Sequence, residues 1–261
     1  MRVQIPAHSK IRLGQNFLHD ENVIDKILRF IQPSPSDYFF EIGGGTGALT
    51  EPLAPRVKKL VVAEIDAELI SYLSVIPGVT VLKEDARKIP ICELPGSKSW
   101  RIVGNLPYYI SSSILTGLLE QRECIHDMTL MFQDEVAMRI IAPPSDSEYG
   151  MLSVLAQYYC TVQRGFRISR NSFSPKPDIE SRVIRLVPRA GQRLPYEEYA
   201  AFLSDAFSQR RKKLRNNLLR TIQIATDQLD LIFAELQISP DARAENLSAD
   251  QFEALYMKLK P

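Results

Sequence analysis

Residues 38–47 read YFFEIGGGTG. Aromatic and branched residues over 38–42 suit a buried strand. The glycines at 43, 45 and 47 then predict a turn whose backbone can come close to a ligand. TGALTEPLA (46–54) predicts a helix opening from that turn, with N–H groups turned toward the same place. A phosphate loop would need a Lys followed by Ser or Thr, and none follows. A dinucleotide fingerprint would read GxGxxG, whereas the spacing here is GxGxG, with an acid, Glu41, two residues before the first glycine. That pattern suits a ligand that lacks a pyrophosphate and carries a charged amino-acid group.

Outward from this turn, short apolar runs at 60–65, 79–82, 101–104 and 127–132 alternate with helical stretches at 66–75, 111–121 and 133–142. Upstream, residues 20–31 place Val23, Ile24, Ile27, Leu28 and Ile31 on one helical face behind Asp20, a suitable N-cap. Strands alternating with helices predict an α/β fold, a Rossmann-like parallel sheet with helices on both faces. Residues 156–163 and 182–187 alternate like an antiparallel hairpin at the sheet edge. From 196 to 259 only helical periodicity remains, enough for four or five helices. The expected organisation is a domain over 1–189 followed by a small all-helical domain over 190–261.

The expected strands end in polar residues: Glu64 after the second, Asp85 after the third, Asn105 after the fourth. An open α/β sheet binds its ligand at these carboxyl ends. Glu64 can accept ribose hydroxyls and Asp85 an exocyclic adenine amine, so the set points to an adenosine-type cofactor.

The 32 basic and 31 acidic residues give a net charge of +1, which argues against a uniformly basic nucleic-acid binder. The basic residues cluster, however. Arg210, Arg211, Lys212, Lys213, Arg215 and Arg220 have no acid among them, and a second basic stretch runs from Arg164 to Arg193. Such clusters are either phosphate-binding faces or solvated ones. Cys92, Cys124 and Cys160 are odd in number and far apart, and are expected to be reduced, packed thiols. His8, His19 and His126 have no second ligand at metal-site spacing, so no metal is expected. No apolar run spans a bilayer and no signal-peptide core is present, so a cytoplasmic, monomeric protein is expected.

GQNFL (14–18), EIGGGTG (41–47), AEID (63–66), EDA (84–86), NLPYYIS (105–111), QDEVAMRI (133–140), YGMLSVLAQYY (149–159) and FSPKPDIESRVIRL (173–186) together resemble the S-adenosylmethionine-dependent ribosomal RNA adenine dimethyltransferases. The likeness is nearest in the bacterial small-subunit branch, the kasugamycin-sensitivity methyltransferases. It covers essentially the whole chain. It implies a class I methyltransferase sheet and N6,N6-dimethylation of two adjacent adenosines in a hairpin loop near the 3′ end of 16S rRNA. It also implies that the partner is the assembling small (30S) subunit, with a role in its biogenesis. By motif, Asn16, Leu18, Gly43, Glu64, Asp85 and Asn105 would contact S-adenosylmethionine. Asn105, Leu106, Tyr108 and Phe173 would surround the target adenine, and Arg210, Arg211, Lys212, Lys213 and Arg215 are the expected RNA contacts. The 143–150 loop, PPSDSEYG, is acidic where the family commonly has glycine and lysine, which puts a phosphate contact from that loop in doubt.

The chemistry of the residues agrees with the resemblance. Acceptors at Asn105 Oδ1 and the Leu106 carbonyl can hold the adenine amine, and Pro107 stiffens the turn that aims that carbonyl. Tyr108 and Phe173 offer faces for an unstacked base. Three other readings use the same scaffold: a large-subunit RNA methyltransferase, a non-catalytic assembly factor, and a nicotinamide oxidoreductase.

Overall fold

The computed structural model describes residues 15–191 and 193–260. His8, Gly14 and the beginning of the expected first domain lie outside them. Two compact units emerge: residues up to Ala137 with Val162–Pro188, and Met138–Thr161 with residues from Arg189 onward. The boundary at 188/189 falls where the sequence changes character. Residues 138–161, however, group with the C-terminal helices instead of with the sheet.

The first unit contains strands β1 (Phe17–Leu18), β2 (Tyr38–Ile42), β3 (Lys59–Glu64), β4 (Val79–Lys83), β5 (Trp100–Asn105) and β6 (Ile125–Gln133). Most of β7 (Cys160–Ile168), together with β8 (Phe173–Ser174) and β9 (Ser181–Pro188), also belongs to it. Seven strands form one sheet in the order β4-β3-β2-β5-β6-β9-β7. β4 to β6 run parallel, and β9 lies antiparallel to β6 with Gln133 opposite Ser181. The chain builds outward from β2 through β3 to β4, then returns to place β5 on the other flank of β2. This reversal opens a crevice between the carboxyl ends of β2 and β5, the place where such sheets bind ligands. The hairpin expected at the sheet edge is there, with β9 against β6 and β7 outermost.

Helices α1 (Glu21–Ile31), α2 (Thr50–Leu53), α3 (Ala67–Leu73), α4 (Ser111–Glu120) and α5 (Asp134–Ile141) connect the strands. Asp20 caps α1 as its position suggested, accepting from the N–H groups of Asn22 and Val23 at 3.1 and 3.4 Å. The apolar stripe of α1, Ile24, Ile27, Leu28 and Ile31, is buried in one core cluster with Phe39, Leu60, Val62 and Val103 of the sheet.

The amino end of the sheet is held by a buried charge network. Arg101 donates to both carboxylate oxygens of Asp127, at 2.8 and 2.9 Å, and to Asp37 at 2.7 Å. It also caps the end of α1 through the carbonyls of Ile31 and Gln32, at 2.6 and 3.2 Å. Burial works against the Asp127 charge, yet Arg101 and Arg185 offset it and hold its carboxyl below the usual range.

The cysteine expectation is corrected. Cys92 and Cys124 are joined as a disulfide with Cα atoms 5.2 Å apart, and Cys160 is a buried thiol outside it. Their sequence separation of 32 residues hid the pairing. The turn after β4 and the turn after α4 meet beside one another, where Gln121 accepts from the Ile91 N–H at 2.6 Å.

The second unit contains α6 (Met151–Tyr159), α7 (Tyr196–Ala206), α8 (Leu214–Thr221), α9 (Thr226–Glu235) and α10 (Ala249–Leu259). Residues 156–159, expected as strand, are the last turn of α6. The YY pair that looked β-forming is buried in an aromatic cluster, with Tyr158 and Tyr199 centroids 4.5 Å apart. Tyr149 donates to the Leu247 carbonyl at 2.8 Å and Tyr158 to Glu253 at 2.6 Å. These bonds explain why 138–161 belongs with the C-terminal helices. No helix among the described residues is long and apolar enough to cross a membrane.

Arg101→Met should destabilise the protein by about 3–5 kcal/mol, because Asp127 is left charged and buried without its main partner. Urea unfolding of the single variant and of Arg101→Met/Asp127→Leu checks this. The double variant should recover a substantial part of the loss.

Candidate active site

β2 runs into Gly43, Gly45 and Gly47, where φ is +72°, +54° and +79°. Left-handed backbone at three alternate positions is what the GxGxG spacing encodes, since a side chain there would be strained. The helix expected over 46–54 is shorter than predicted. α2 has four residues, so the turn itself lines the crevice and no long helix N-terminus does.

Glu64 ends β3 and is 3% exposed. Its Oε2 accepts the N–H of Gly45 at 3.1 Å, and its Oε1 accepts those of Ile65 and Asp66 at 2.9 and 3.1 Å. One carboxylate therefore fastens the glycine turn of β2 to the end of β3. A carboxylate has about four acceptor positions, so one on Oε2 is left for a ligand hydroxyl. Glu41 lies in the same crevice, 2% exposed, with its Oε2 accepting from the Thr50 hydroxyl at 2.7 Å. Burial, with the neighbouring Glu64 charge adding to it and Thr50 opposing, pushes the Glu41 carboxyl up to about 8.

Asp85 follows β4 and accepts from Arg87, whose Nε lies 3.0 Å from both carboxylate oxygens. The Arg87 side chain holds the Asp85 carboxyl below its usual range. Asn105 ends β5, and its Nδ2 donates to the Asn16 carbonyl at 2.8 Å. This bond fixes the amide and leaves Oδ1 on its other edge. The Leu106 N–H is taken by the Met131 carbonyl at 3.2 Å, which anchors the next residue to β6. The Tyr108 and Ser181 hydroxyls share a hydrogen bond of 2.9 Å, tethering the ring to β9.

One cavity brings together Asn16, Leu18, Gly43, Glu64, Asp85 and Asn105, along with Glu41, Leu106 and Tyr108. A second cavity shares Gln15, Asn16 and Tyr108 with the first and is closed by Gln133 and Pro175–Ile179. Phe173 lines neither. It is 2% exposed, sits in the core cluster and pairs with Leu18 where β8 meets β1. Its ring presents no open face to a base, in contrast to the expectation. Two-residue strands such as β1 and β8 have no periodicity, so the pairing that buries Phe173 left no mark in the sequence.

Several residues were not singled out by sequence reasoning. Gln15 lines both cavities, and its buried Oε1 has no partner among the described residues. Arg87, Thr50 and Ser181 hold the site residues in place. For Gln15 the adjacent Asn16 was the available signal; the other three become visible only through contacts.

In the second unit the basic run does not lie on one helix. Residues 210–213 form the turn before α8, and acids distant in sequence meet three of the five expected RNA contacts. Arg210 pairs with Glu245 at 3.4 Å, Lys213 with Asp241, and Arg215 with Asp230. Arg210 also donates to the Ser147 carbonyl, within the acidic 143–150 loop. Arg211 and Lys212 are exposed and have no ionic partner among the described residues. In the second basic stretch Arg167 and Arg182 meet Asp134, and Arg185 meets Asp127. Among the described residues no group of histidines, cysteines and carboxylates is arranged to hold a metal ion.

A family model described as ribosomal RNA adenine dimethylase matches residues 7–260. The ribosomal RNA small subunit methyltransferase A of Proteus mirabilis (strain HI4320) is 40% identical over 260 residues, 96% of this chain and 93% of that protein. The protein of the same name from Chlorobium phaeobacteroides (strain DSM 266) is 37% identical over 254 residues, 97% and 91% of the two chains. Among solved structures, a dimethyladenosine transferase from Plasmodium falciparum superposes with a TM-score of 0.78 at 26% identity, covering 92% of this chain and 95% of its own. The sheet with its crevice, the polar strand ends and the NLPY turn thus accompany a match over nearly the full length, and the chain belongs to the ribosomal RNA adenine dimethylase family.

Proposed function

We propose that this protein transfers methyl groups from S-adenosylmethionine to N6 of two adjacent adenosines of small-subunit ribosomal RNA, within the assembling 30S subunit in the cytoplasm. The observation that carries the reading is the shared wall of the two cavities. Asn16 and Tyr108 line both, and Asn105 stands on Asn16, so a donor in the first cavity and a base in the second would meet at the NLPY turn.

The residues present fit the donor. The open glycine turn, the acceptors of Glu41 and Glu64, the orphaned Gln15 Oε1 and the Asp85 carboxylate suit a ligand with ammonium, ribose hydroxyl and adenine amine donors. When bound, the donor supplies an electrophilic methyl group on a sulfonium. Asn16, Leu18, Gly43, Glu64, Asp85 and Asn105 would hold it, with Asp85 exchanging Arg87 for the adenine amine.

The chain's own contribution is to make a poor nucleophile attack. The adenine N6 lone pair is delocalised into the ring. Asn105 Oδ1 and the Leu106 carbonyl accept its two hydrogens and favour a tetrahedral nitrogen, an interaction that strengthens toward the transition state. Pro107 stiffens the turn that aims the Leu106 carbonyl, and Tyr108 offers a ring face to the unstacked base. Displacement from a sulfonium asks for in-line positioning more than for a strong base. The methylated nitrogen can lose its proton to water, and its remaining hydrogen allows a second transfer. RNA selection is assigned to the second unit, where Arg211 and Lys212 are already free and Arg210, Lys213 and Arg215 exchange weak surface ion pairs for phosphates. Phe173 would join the platform only if β8 parted from β1.

Incubating the protein with labelled donor and small-subunit RNA or particles, then mapping modified nucleotides by mass, tests the reading. Dimethylation of two neighbouring adenosines is expected. Modification confined to large-subunit RNA, or none with either substrate, overturns it.

Five variants probe the parts. Glu64→Gln keeps the volume but cannot accept the same set of N–H donors, so donor affinity should fall by about 1–3 kcal/mol in calorimetry. Asn105→Ala should slow single-turnover transfer about 100-fold or more at saturating RNA while RNA binding is retained. In the same assay Tyr108→Phe should keep most of the rate and Tyr108→Ala should not, because the ring face matters more than the hydroxyl. In the second unit, Arg211→Ala/Lys212→Ala should make the log–log salt dependence of RNA binding shallower by roughly 1–2. Donor affinity should be unchanged, and identical salt slopes would show these cations to be only solvated.

A further inference from the structure

Gln133 has no part in the chemistry above, yet it stands beside the NLPY turn. It ends β6, two residues beyond Met131, which pairs with Asn105 of β5 and accepts the Leu106 N–H at 3.2 Å. On its other side it pairs with Ser181 of β9, whose hydroxyl meets that of Tyr108 at 2.9 Å. The end of β6 is thus flanked by the turn after β5 and by the strand that tethers the Tyr108 ring.

Among the polar side chains of the second cavity, those of Gln15 and Asn16 also line the donor cavity, and Tyr108 is tied to Ser181. Lys176 and Asp178 are exposed. Gln133 is half-buried and lines the second cavity but not the first. Its side-chain amide has no hydrogen-bond partner among the described residues. An amide so placed offers a donor and an acceptor to whatever enters the cavity.

We propose that Gln133 donates through Nε2 to a ring nitrogen flanking the amine of the target adenine, and so fixes the rotation of the base within its own plane. This rests on reading the second cavity as the base site. Stacking on Tyr108 sets the plane of the base but not its rotation in that plane, since any base offers a π face. Asn105 and Leu106 hold it at one corner, the amine. A second contact completes the alignment that in-line displacement requires. Adenine presents an acceptor nitrogen on each side of its amine, N1 and N7, and an amide N–H matches either.

The contact matters most in the second transfer. After the first methylation N6 keeps one hydrogen for two acceptors, so the hold on the amine weakens while the hold on the ring does not. Loss of Gln133 therefore slows the second methyl more than the first, and the monomethylated adenosine accumulates.

Single-turnover transfer to saturating, unmethylated small-subunit particles, with mono- and dimethyladenosine counted by mass, tests this in two variants. Gln133→Met keeps the length and removes the donor; Gln133→Glu keeps the shape and is acceptor-only when ionised. Both should slow the first transfer by about tenfold and the second by more, with donor affinity unchanged in calorimetry. In particles rebuilt around a synthetic 3′ segment, 1-deazaadenosine and 7-deazaadenosine at the target position each remove one ring acceptor. One of the two should slow the wild type by about tenfold more than it slows Gln133→Met. Wild-type rates and product ratio in Gln133→Met, or equal slowing of wild type and variant by both analogues, overturns the assignment while leaving the two cavities as read. Should the variants fail to fold, a wild type slowed by neither analogue overturns it as well. Failure of the wild type to methylate small-subunit particles at all overturns the reading of the base site, and this inference with it.

Discussion

The carboxylate of Glu64 is the point on which the site depends. Three backbone N–H groups converge on it, one from the glycine turn and two from the start of the β3–α3 connection. Hydrogen bonds to an ionised acceptor are roughly twice as strong as neutral ones. A turn with left-handed backbone at Gly43, Gly45 and Gly47 loses much chain entropy on ordering, and this bond offsets part of that cost. Without it the spacing GxGxG would specify only a flexible loop. With it, the turn is a fixed wall against which a ligand can be placed.

The strand order completes what that bond begins. Because β5 returns to lie beside β2, Asn105 emerges next to Gly43 although 62 positions separate them in sequence; a Cβ on Gly43 would lie 4.0 Å from the Asn105 carbonyl oxygen. Asn16 then closes the same crevice by accepting from the Asn105 amide. The two-stranded β1–β8 sheet holds the Asn16–Leu18 segment in position and costs Phe173 its exposure. The same packing that orients Asn105 therefore removes one of the aromatic rings expected beside it.

What could be read from the sequence follows from how far each feature reaches along the chain. Parallel strands announce themselves by apolar runs, and each contributes one polar residue at its end. The line Glu64, Asp85, Asn105 was therefore visible, and so was the capping of α1 by Asp20. Features that need two distant segments were not visible. The disulfide joins two 3₁₀ turns 32 residues apart. The basic run from Arg210 to Arg215 contains no acid, yet Asp230, Asp241 and Glu245 fold back on it. Tyr158 and Tyr159 have strand propensity, but aromatic contacts with Tyr199 outweigh it and extend α6 to the start of β7.

The proposed division of labour between the two units has a physical basis. Around the crevice the carboxyl groups are committed: the buried Glu64 to backbone, the buried Glu41 to Thr50, and the half-buried Asp85 to Arg87. Such groups discriminate by geometry, since each misplaced ligand atom leaves one of them unsatisfied. Around residues 210–215 the charges are exposed or paired at the surface, where an ion pair is weak and easily exchanged. Groups of that kind respond to the density of phosphate and to salt, and hardly at all to base identity. A site that must accept an adenine in several methylation states, and each of two neighbours in turn, cannot draw its selectivity for one RNA from the crevice. The weakly committed cations of the second unit have the chemistry for that task, and the tightly committed carboxylates of the first do not.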